Sequence, residues 1–205
     1  MDAERYFLCF MFYSFAGWIY ESIYYTVRHR KIVNSGFLYG CLCPIYGIGA
    51  MLDIMVLGRI ENPVTIFFAG MILTGILEYF VSWLLEEVFH TRWWDYSTWP
   101  FNINGRVCLL GGIAFGIMSV FVVKVFNPAV TAYVIHMEDK SVHMLCISIA
   151  VMTLLDLILT LRNSESFEKR LWFTDTDVIL QGLFSERLPN RHEIMRKINE
   201  YINRH

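Results

Sequence analysis

Five apolar runs dominate the chain, at residues 6–27, 38–58, 64–88, 107–126 and 144–161, each 18 to 25 residues long. A bilayer core about 30 Å thick takes roughly 20 helical residues to cross, so every run has the length for one passage. Inside hydrocarbon the backbone must satisfy its own hydrogen bonds, and a helix does so within a single segment. Composition agrees, with 56% hydrophobic and 18% charged residues against roughly 45–50% and about 25% in a globular chain. The expectation is an all-α, polytopic membrane helical bundle of about five transmembrane helices over residues 1–162. A short cytoplasmic helical tail over 163–205 follows it. Soluble enzymes, DNA-binding modules and secreted disulfide scaffolds are excluded. A net charge of -2 leaves no electrostatic footprint for nucleic acid, and the surrounding partner is membrane lipid.

Cysteines stand at 9, 41, 43, 108 and 146, inside or beside the apolar runs. An odd number placed in lipid does not read as a disulfide framework. No further thiol or His cluster joins Cys41 and Cys43, so packing is the expected role and no metal site is assigned. The N-terminal run is long and lacks a small-residue cleavage site, which predicts a retained helix.

Basic residues near span ends set orientation. With the N-terminus outside, the inner segments hold Arg28, Arg30, Lys31, Arg92, Arg106, Arg162, Lys169 and Arg170. That is twice the outer set of Arg5, Arg59, Lys124 and Lys140. The expected protein lies in the cell membrane with its N-terminus outside and its C-terminus cytoplasmic. The tail mixes both signs of charge and is no polybasic lipid clamp. Ile194, Met195, Ile198, Tyr201 and Ile202 fall on helical spacing after Pro189-Asn190, which predicts a short amphipathic helix.

The residues that lipid should reject carry the functional question. Glu21, Asp53, Glu78 and Asp156 fall inside predicted spans, with Glu86 and Glu87 at the inner end of the third. A charge near the bilayer centre costs at least ~2.5–3.5 kcal/mol on insertion scales, so such groups face protein or water. No Lys or Arg lies deep enough to pair with them; Lys124, two residues from an outer boundary, can snorkel. The acids must then be protonated, be hydrogen-bonded or hold a cation. Helical rise puts Asp156, Glu21 and Glu78 roughly 8, 9 and 15 Å from the inner surface. Asp53 stands apart, near the outer one. Thr74, Glu78, Ser82 and Glu86 share one helix face, as do Ser14, Gly17 and Glu21. Ser and Thr alone would read as interhelical glue worth about 0.6 kcal/mol per bond. Two glutamates in those stripes point instead to a polar site in the cytoplasmic half.

Small residues mark close helix contacts: Gly36, Gly40 and Gly47 in the second run, Gly112 and Gly116 in the fourth. Pro44 is expected to kink or break the second span, and a glycine-lined broken helix is one way a transporter builds its site. The chain also reads as two halves on one plan. Glu21, a loop with Asn34-Ser35-Gly36 and a span holding Tyr46-Gly47-Ile48 match Glu78, a loop with Asn104-Gly105 and a span holding Phe115-Gly116-Ile117. This makes a parallel internal repeat with a fifth span added. The second loop, Trp93 to Arg106, has aromatics that suit a headgroup-level belt. Asp95, Asn102, Asn104 and Arg106 exceed what a belt needs, so the loop is expected to re-enter the bundle and cap the site. Arg106 is the candidate counter-ion for Glu86, Glu78 or Glu21, or for an anionic headgroup.

Several of these motifs together resemble one family. They are Glu21 after Gly17-Trp18, Asn34-Ser35-Gly36-Phe37-Leu38-Tyr39-Gly40 leading to Pro44-Ile45-Tyr46-Gly47, Glu78, and Trp94-Asp95-Tyr96-Ser97 followed by Asn102 and Gly105-Arg106. The family is that of bacterial type IV ABC-transporter permeases, and the resemblance covers roughly residues 10–120. It implies a small multi-span bundle and a permease role.

The first functional reading is a membrane permease or transporter subunit for a small solute or ion. Its substrate- or ion-binding residues would be Glu21, Asn34, Tyr46, Glu78, Ser82, Glu86, Asp95, Tyr96, Asn102, Asn104 and Arg106. Buried acids without bases suit proton or cation coupling. No G-x-x-x-x-G-K-[ST] run occurs, so any ATP drive needs a separate ATPase subunit. Five spans are few for a complete transporter, which predicts a homo-oligomer. The alternative is a membrane-embedded lipid-modifying or lipid-binding protein at the cytoplasmic interface, where acid, Asn and Arg groups suit proton transfer and phosphate binding. Against it, no metal-type His pair and no Ser or Cys nucleophile beside a base appears. A third reading is a structural or regulatory subunit whose handle is the tail helix. No cofactor is expected.

Overall fold

The computed structural model describes residues 1–162 apart from Lys31, Val33, Phe37, His90 and Thr91. The tail, with its expected amphipathic helix, lies outside the described residues. The elements are α1 (Ala3–His29), α2 (Pro44–Leu57), α3 (Pro63–Phe89), a small hairpin of β1 (Asn102–Ile103) and β2 (Val107–Cys108), α4 (Leu109–Phe121), a π-helical stretch (Val122–Phe126), α5 (Asn127–Ile135) and α6 (Asp139–Arg162). It is an all-α bundle. Among the described residues three stretches are long and apolar enough to cross a membrane: α3, the rod Leu109–Ile135 formed by α4 through α5, and α6. Helix α1 matches them in length at 27 residues but carries Glu4, Arg5 and Glu21.

The chain packs as two consecutive hairpins, α1 on α2 and α3 on α4, with α5 and α6 closing against α1. At the α1–α2 seam the Tyr46 ring lies over Gly17 and the Ser14 hydroxyl over Gly47, and a Cβ on either glycine would overlap them. Small residues of this kind let backbones approach. Leu8, Cys9, Tyr13, Ala50, Val134, Val142 and Cys146 form one buried cluster, and Leu57, Ile66 and Val123 a second.

Pro44 breaks the expected second span over 38–58 rather than kinking it. It is the first residue of α2, which is only 14 residues long, about 21 Å at the helical rise. Residues 38–43 are apolar yet non-helical. Three of their six backbone donors are met from outside the segment. The Cys43 N–H goes to the Ser14 carbonyl at 3.0 Å, that of Tyr39 to Thr160 Oγ1 at 3.3 Å, and that of Gly40 to Asp156 Oδ2 at 2.9 Å. With donors satisfied this way the segment has no need of a helix. Ser14 lies about 22 Å along α1 from that helix's C-terminal end, so α2 begins deep in the bundle.

The fourth span also runs past its expected end at 126. Pro128 should stop a helix because its ring meets the carbonyl four residues back. The π-helical stretch just before it, closed by the Asn127 N–H on the Val122 carbonyl, widens the turn and absorbs the proline. The boundary assumed beside Lys124 therefore lies inside the rod. The Lys124 ammonium donates to the Ile60 carbonyl at 2.8 Å, at the α2–α3 turn. Further on, the Val134 carbonyl accepts from Arg5 Nε at 3.2 Å, so α5 passes from that turn to the start of α1.

Arg5 ties this amino end together. It also donates to the Met137 carbonyl at 3.0 Å and pairs with Asp139 at 2.8 Å and with Asp2. The Arg5 N–H that caps α1 on Asp2 holds the Asp2 carboxyl below its ordinary range. The loops 30–43 and 90–108 lie at the opposite end, called the loop end below.

Candidate functional site

Each loop at the loop end reaches a glutamate. Glu21 Oε2 accepts the Ser35 hydroxyl at 2.7 Å and the Cys43 thiol at 3.4 Å, and Oε1 accepts the Tyr46 hydroxyl at 3.3 Å. Local bonds bring these groups there. Asn34 accepts the Trp18 Nε1–H at 2.7 Å and donates its amide to the Tyr39 carbonyl at 3.0 Å, which shapes the loop's entry. The Ser35 N–H donates to Ser22 Oγ at 3.3 Å. Cys43 is the residue at the head of α2, so Glu21 sits by a helix N-terminus, whose partial positive charge favours an anion. The Tyr46 ring, seated over Gly17, stands 6.4 Å from that of Phe115 and so brings α4 to the same centre.

The second centre is built on Glu78, which is 6% exposed and about 16 Å along α3 from its C-terminal end. The Tyr96 hydroxyl donates to Oε1 at 3.2 Å, while Oε2 is buried without a partner among the described residues. Reaching that depth requires the loop after α3 to turn back into the bundle, and its internal bonds hold that shape. The Tyr96 N–H meets the Gly105 carbonyl at 2.7 Å, and Asp95 Oδ1 accepts the Ser97 N–H at 2.8 Å. Asn102 accepts the Gly105 N–H at 3.0 Å and donates to the Ser97 and Trp99 carbonyls at 3.2 and 2.8 Å. Asn104 and Gly105 take φ of 53° and 68°, and these two residue types tolerate the left-handed region.

The α3 stripe continues towards the loop end. Arg106 sets Nη1 3.5 Å from Ser82 Oγ and Nη2 2.7 Å from Glu86, with its guanidinium 5.6 Å above the Tyr79 ring. Arg92 Nε donates to both Glu86 oxygens, at 3.0 and 3.1 Å. Of the three acids considered for Arg106, the one it meets is Glu86.

The predicted residues therefore separate by role. Glu78 with Tyr96 forms one bonded pair, and Ser82 and Glu86 with Arg106 form a separate group further along the same face of α3. Glu21 and Tyr46 form a second centre with Asn34 as a positioning residue. Asp95, Asn102 and Asn104 are turned into the loop, Asn104 also donating to the Tyr79 hydroxyl at 2.9 Å. Among the described residues no hydrogen bond joins Glu21 to Glu78, and no group of three His, Cys, Asp or Glu side chains gathers as for a metal ion.

A family model described as "Putative ABC-transporter type IV" matches residues 8–161. The chain belongs to this family. No curated protein and no solved structure matches it. The family match makes the chain a transporter-related membrane protein, and it takes in α6, beyond the stretch on which the resemblance rested. Helix α6 of this ABC-transporter type IV chain supports the first centre through Asp156 and Thr160, which hold the loop ahead of α2. Sequence reasoning passed over that support, because nothing local links Gly40 to Asp156. It also passed over Arg92, which acts on Glu86 across a helix end where no helical period relates them. The adjoining Trp93-Trp94-Asp95 run was the available signal.

Proposed function

We propose that the chain is the membrane-embedded permease component of a transport system, moving a small solute or ion through a polar site built on Glu21 and Glu78. The observation that carries this reading is that each glutamate receives a tyrosine hydroxyl from the chain that follows its helix, Tyr46 for Glu21 and Tyr96 for Glu78. Interhelical glue would use groups already facing each other. Here a half-length helix and a re-entrant loop bring the hydroxyls in. A short helix that starts deep in the bundle, with its N-terminus at a polar site, is how discontinuous helices present ligand sites in transporters. A buried acid without a basic partner, as at Glu78, suits a group that holds a proton or cation in transit.

With the N-terminus outside and the C-terminus cytoplasmic, both centres fall in the cytoplasmic half. The chain lacks a P-loop, so a separate ATPase subunit supplies any ATP drive, and a second copy of the chain completes the pathway. The test uses full-length protein in vesicles holding a pH-sensitive dye, with a potassium diffusion potential as the drive. Wild type is expected to take up protons faster than empty vesicles, and Glu21→Gln and Glu78→Gln to fall to the empty-vesicle rate. Unchanged uptake in both variants would remove the two acids from transport.

A further inference from the structure

Asp53 belongs to neither centre. It lies about 14 Å along α2 from that helix's first residue, towards the amino end, and is 2% exposed. It falls on the strip Ala50, Asp53 and Leu57 that α2 buries. Every neighbouring element contributes something other than a counter-ion. Helix α1 brings Cys9 and Tyr13, packed with Ala50. Helix α4 brings Ser119, which hydrogen-bonds the carboxyl and is itself 1% exposed, donating to the Phe115 carbonyl at 2.9 Å. Helix α3 brings Gly70, whose missing side chain makes room for Ser119. The π-helical stretch brings Lys124, whose ammonium is held on the Ile60 carbonyl. Among the described residues Asp53 Oδ1 has no hydrogen-bond partner, nor has the Tyr13 hydroxyl. Among the described residues no ion pair includes Asp53.

An acid acting as helix glue would have its oxygens engaged, and Oδ1 is not. An ionised carboxylate there would be a full charge without compensation, whereas the protonated acid is neutral. A hard metal cation takes six or more oxygens, and the side chains of this seam offer those of Asp53, Ser119 and Tyr13. We propose that Asp53 is a proton-binding site in the amino-end half of the bundle. Its carboxyl takes up one proton, forming one O–H bond and losing its charge, and returns it to water past the α2–α3 turn, about 6 Å further along α2. The inference rests on the permease reading and adds to it a station on the opposite face from Glu21 and Glu78.

Infrared difference spectra of the full chain in lipid nanodiscs, taken across a pH titration, read protonated carboxyls without any transported substrate. Asp53→Asn is expected to remove one carboxylic C=O band that Glu21→Gln and Glu78→Gln retain. In the vesicle assay the same variant is expected to lower proton uptake to the empty-vesicle rate. If Asp53→Asn fails to fold, Ser119→Ala is expected to move that band, because it changes the group beside the acid; an unmoved band overturns the proposal. Identical carboxylic bands in wild type and Asp53→Asn overturn it whatever the other variants do. If Asp53→Asn keeps wild-type uptake while the two glutamate variants lose it, the permease reading stands and the second station falls. If wild type itself takes up no more than empty vesicles, proton transport falls and the infrared band alone decides the binding site.

Discussion

The Tyr96 hydroxyl crosses from the re-entrant loop to Glu78, a carboxyl whose other oxygen has no partner. Tyr46 makes the same bond to Glu21, but Glu21 also accepts from Ser35 and Cys43. The two tyrosines should therefore differ in cost. Tyr96→Phe leaves a buried carboxyl without a partner, which costs about 1–3 kcal/mol. Tyr46→Phe removes one bond of three, about 0.6 kcal/mol. Denaturation of each variant in detergent measures both, and a larger loss for Tyr46→Phe would contradict the accounting. Glycine gives a second contrast. Gly17→Ala places a Cβ in the Tyr46 ring, while Gly75 has nothing within 4 Å of where its Cβ would be. The first is expected to lose about 1–3 kcal/mol from overpacking, and the second to gain about 0.5–1 kcal/mol from restricting the helical backbone. The glutamates themselves were legible in the sequence, since an acid within an apolar run conflicts with lipid on its own evidence. The partners of Glu86 were only half legible, because Arg106 opens a span whereas Arg92 acts across a helix end.

Hydropathy located α1 and α3 closely, because both run unbroken as helices whose backbone bonds are internal. It misread residues 38–43 for a physical reason. That segment is as apolar as a helix, but three of its amide donors go to Ser14, Asp156 and Thr160, and composition does not register where a backbone bond ends. The same limit applied at Pro128, where a π-helical turn two residues earlier is a backbone adjustment with no compositional mark. This view of the first loop can be tested through α6. Asp156→Ala frees the Gly40 N–H and should loosen the chain ahead of α2. Cys43, 4% exposed, is then expected to react faster with a maleimide, while the already exposed Cys41 serves as internal reference. An unchanged ratio of the two rates would show that Asp156 does not hold the loop.

Across the whole molecule, the lipid-facing and water-facing parts sort by height. Large apolar side chains such as Met152, Leu154, Leu155 and Leu159 stand exposed along α6, as expected where the solvent is hydrocarbon rather than water. Arg5, Arg59, Lys124 and Lys140 stand at the amino end, and Arg28, Arg30, Arg92, Arg106 and Arg162 at the loop end. The side with more Lys and Arg near span ends faces the cytoplasm, and on the proposed orientation that side is the loop end. In a chain whose five native cysteines are replaced, Lys140→Cys is expected to react with a membrane-impermeant maleimide on intact cells. Thr98→Cys should react only after permeabilisation. The reverse pattern would turn the molecule over, placing Glu21 and Glu78 towards the outside and Asp53 towards the cytoplasm. A separate ATPase would then dock at the amino end, where Arg5 ties Asp2, Met137 and Asp139 together, rather than at the loops that carry the two glutamate centres. Labelling thus decides which face of the bundle an energy-supplying partner could reach.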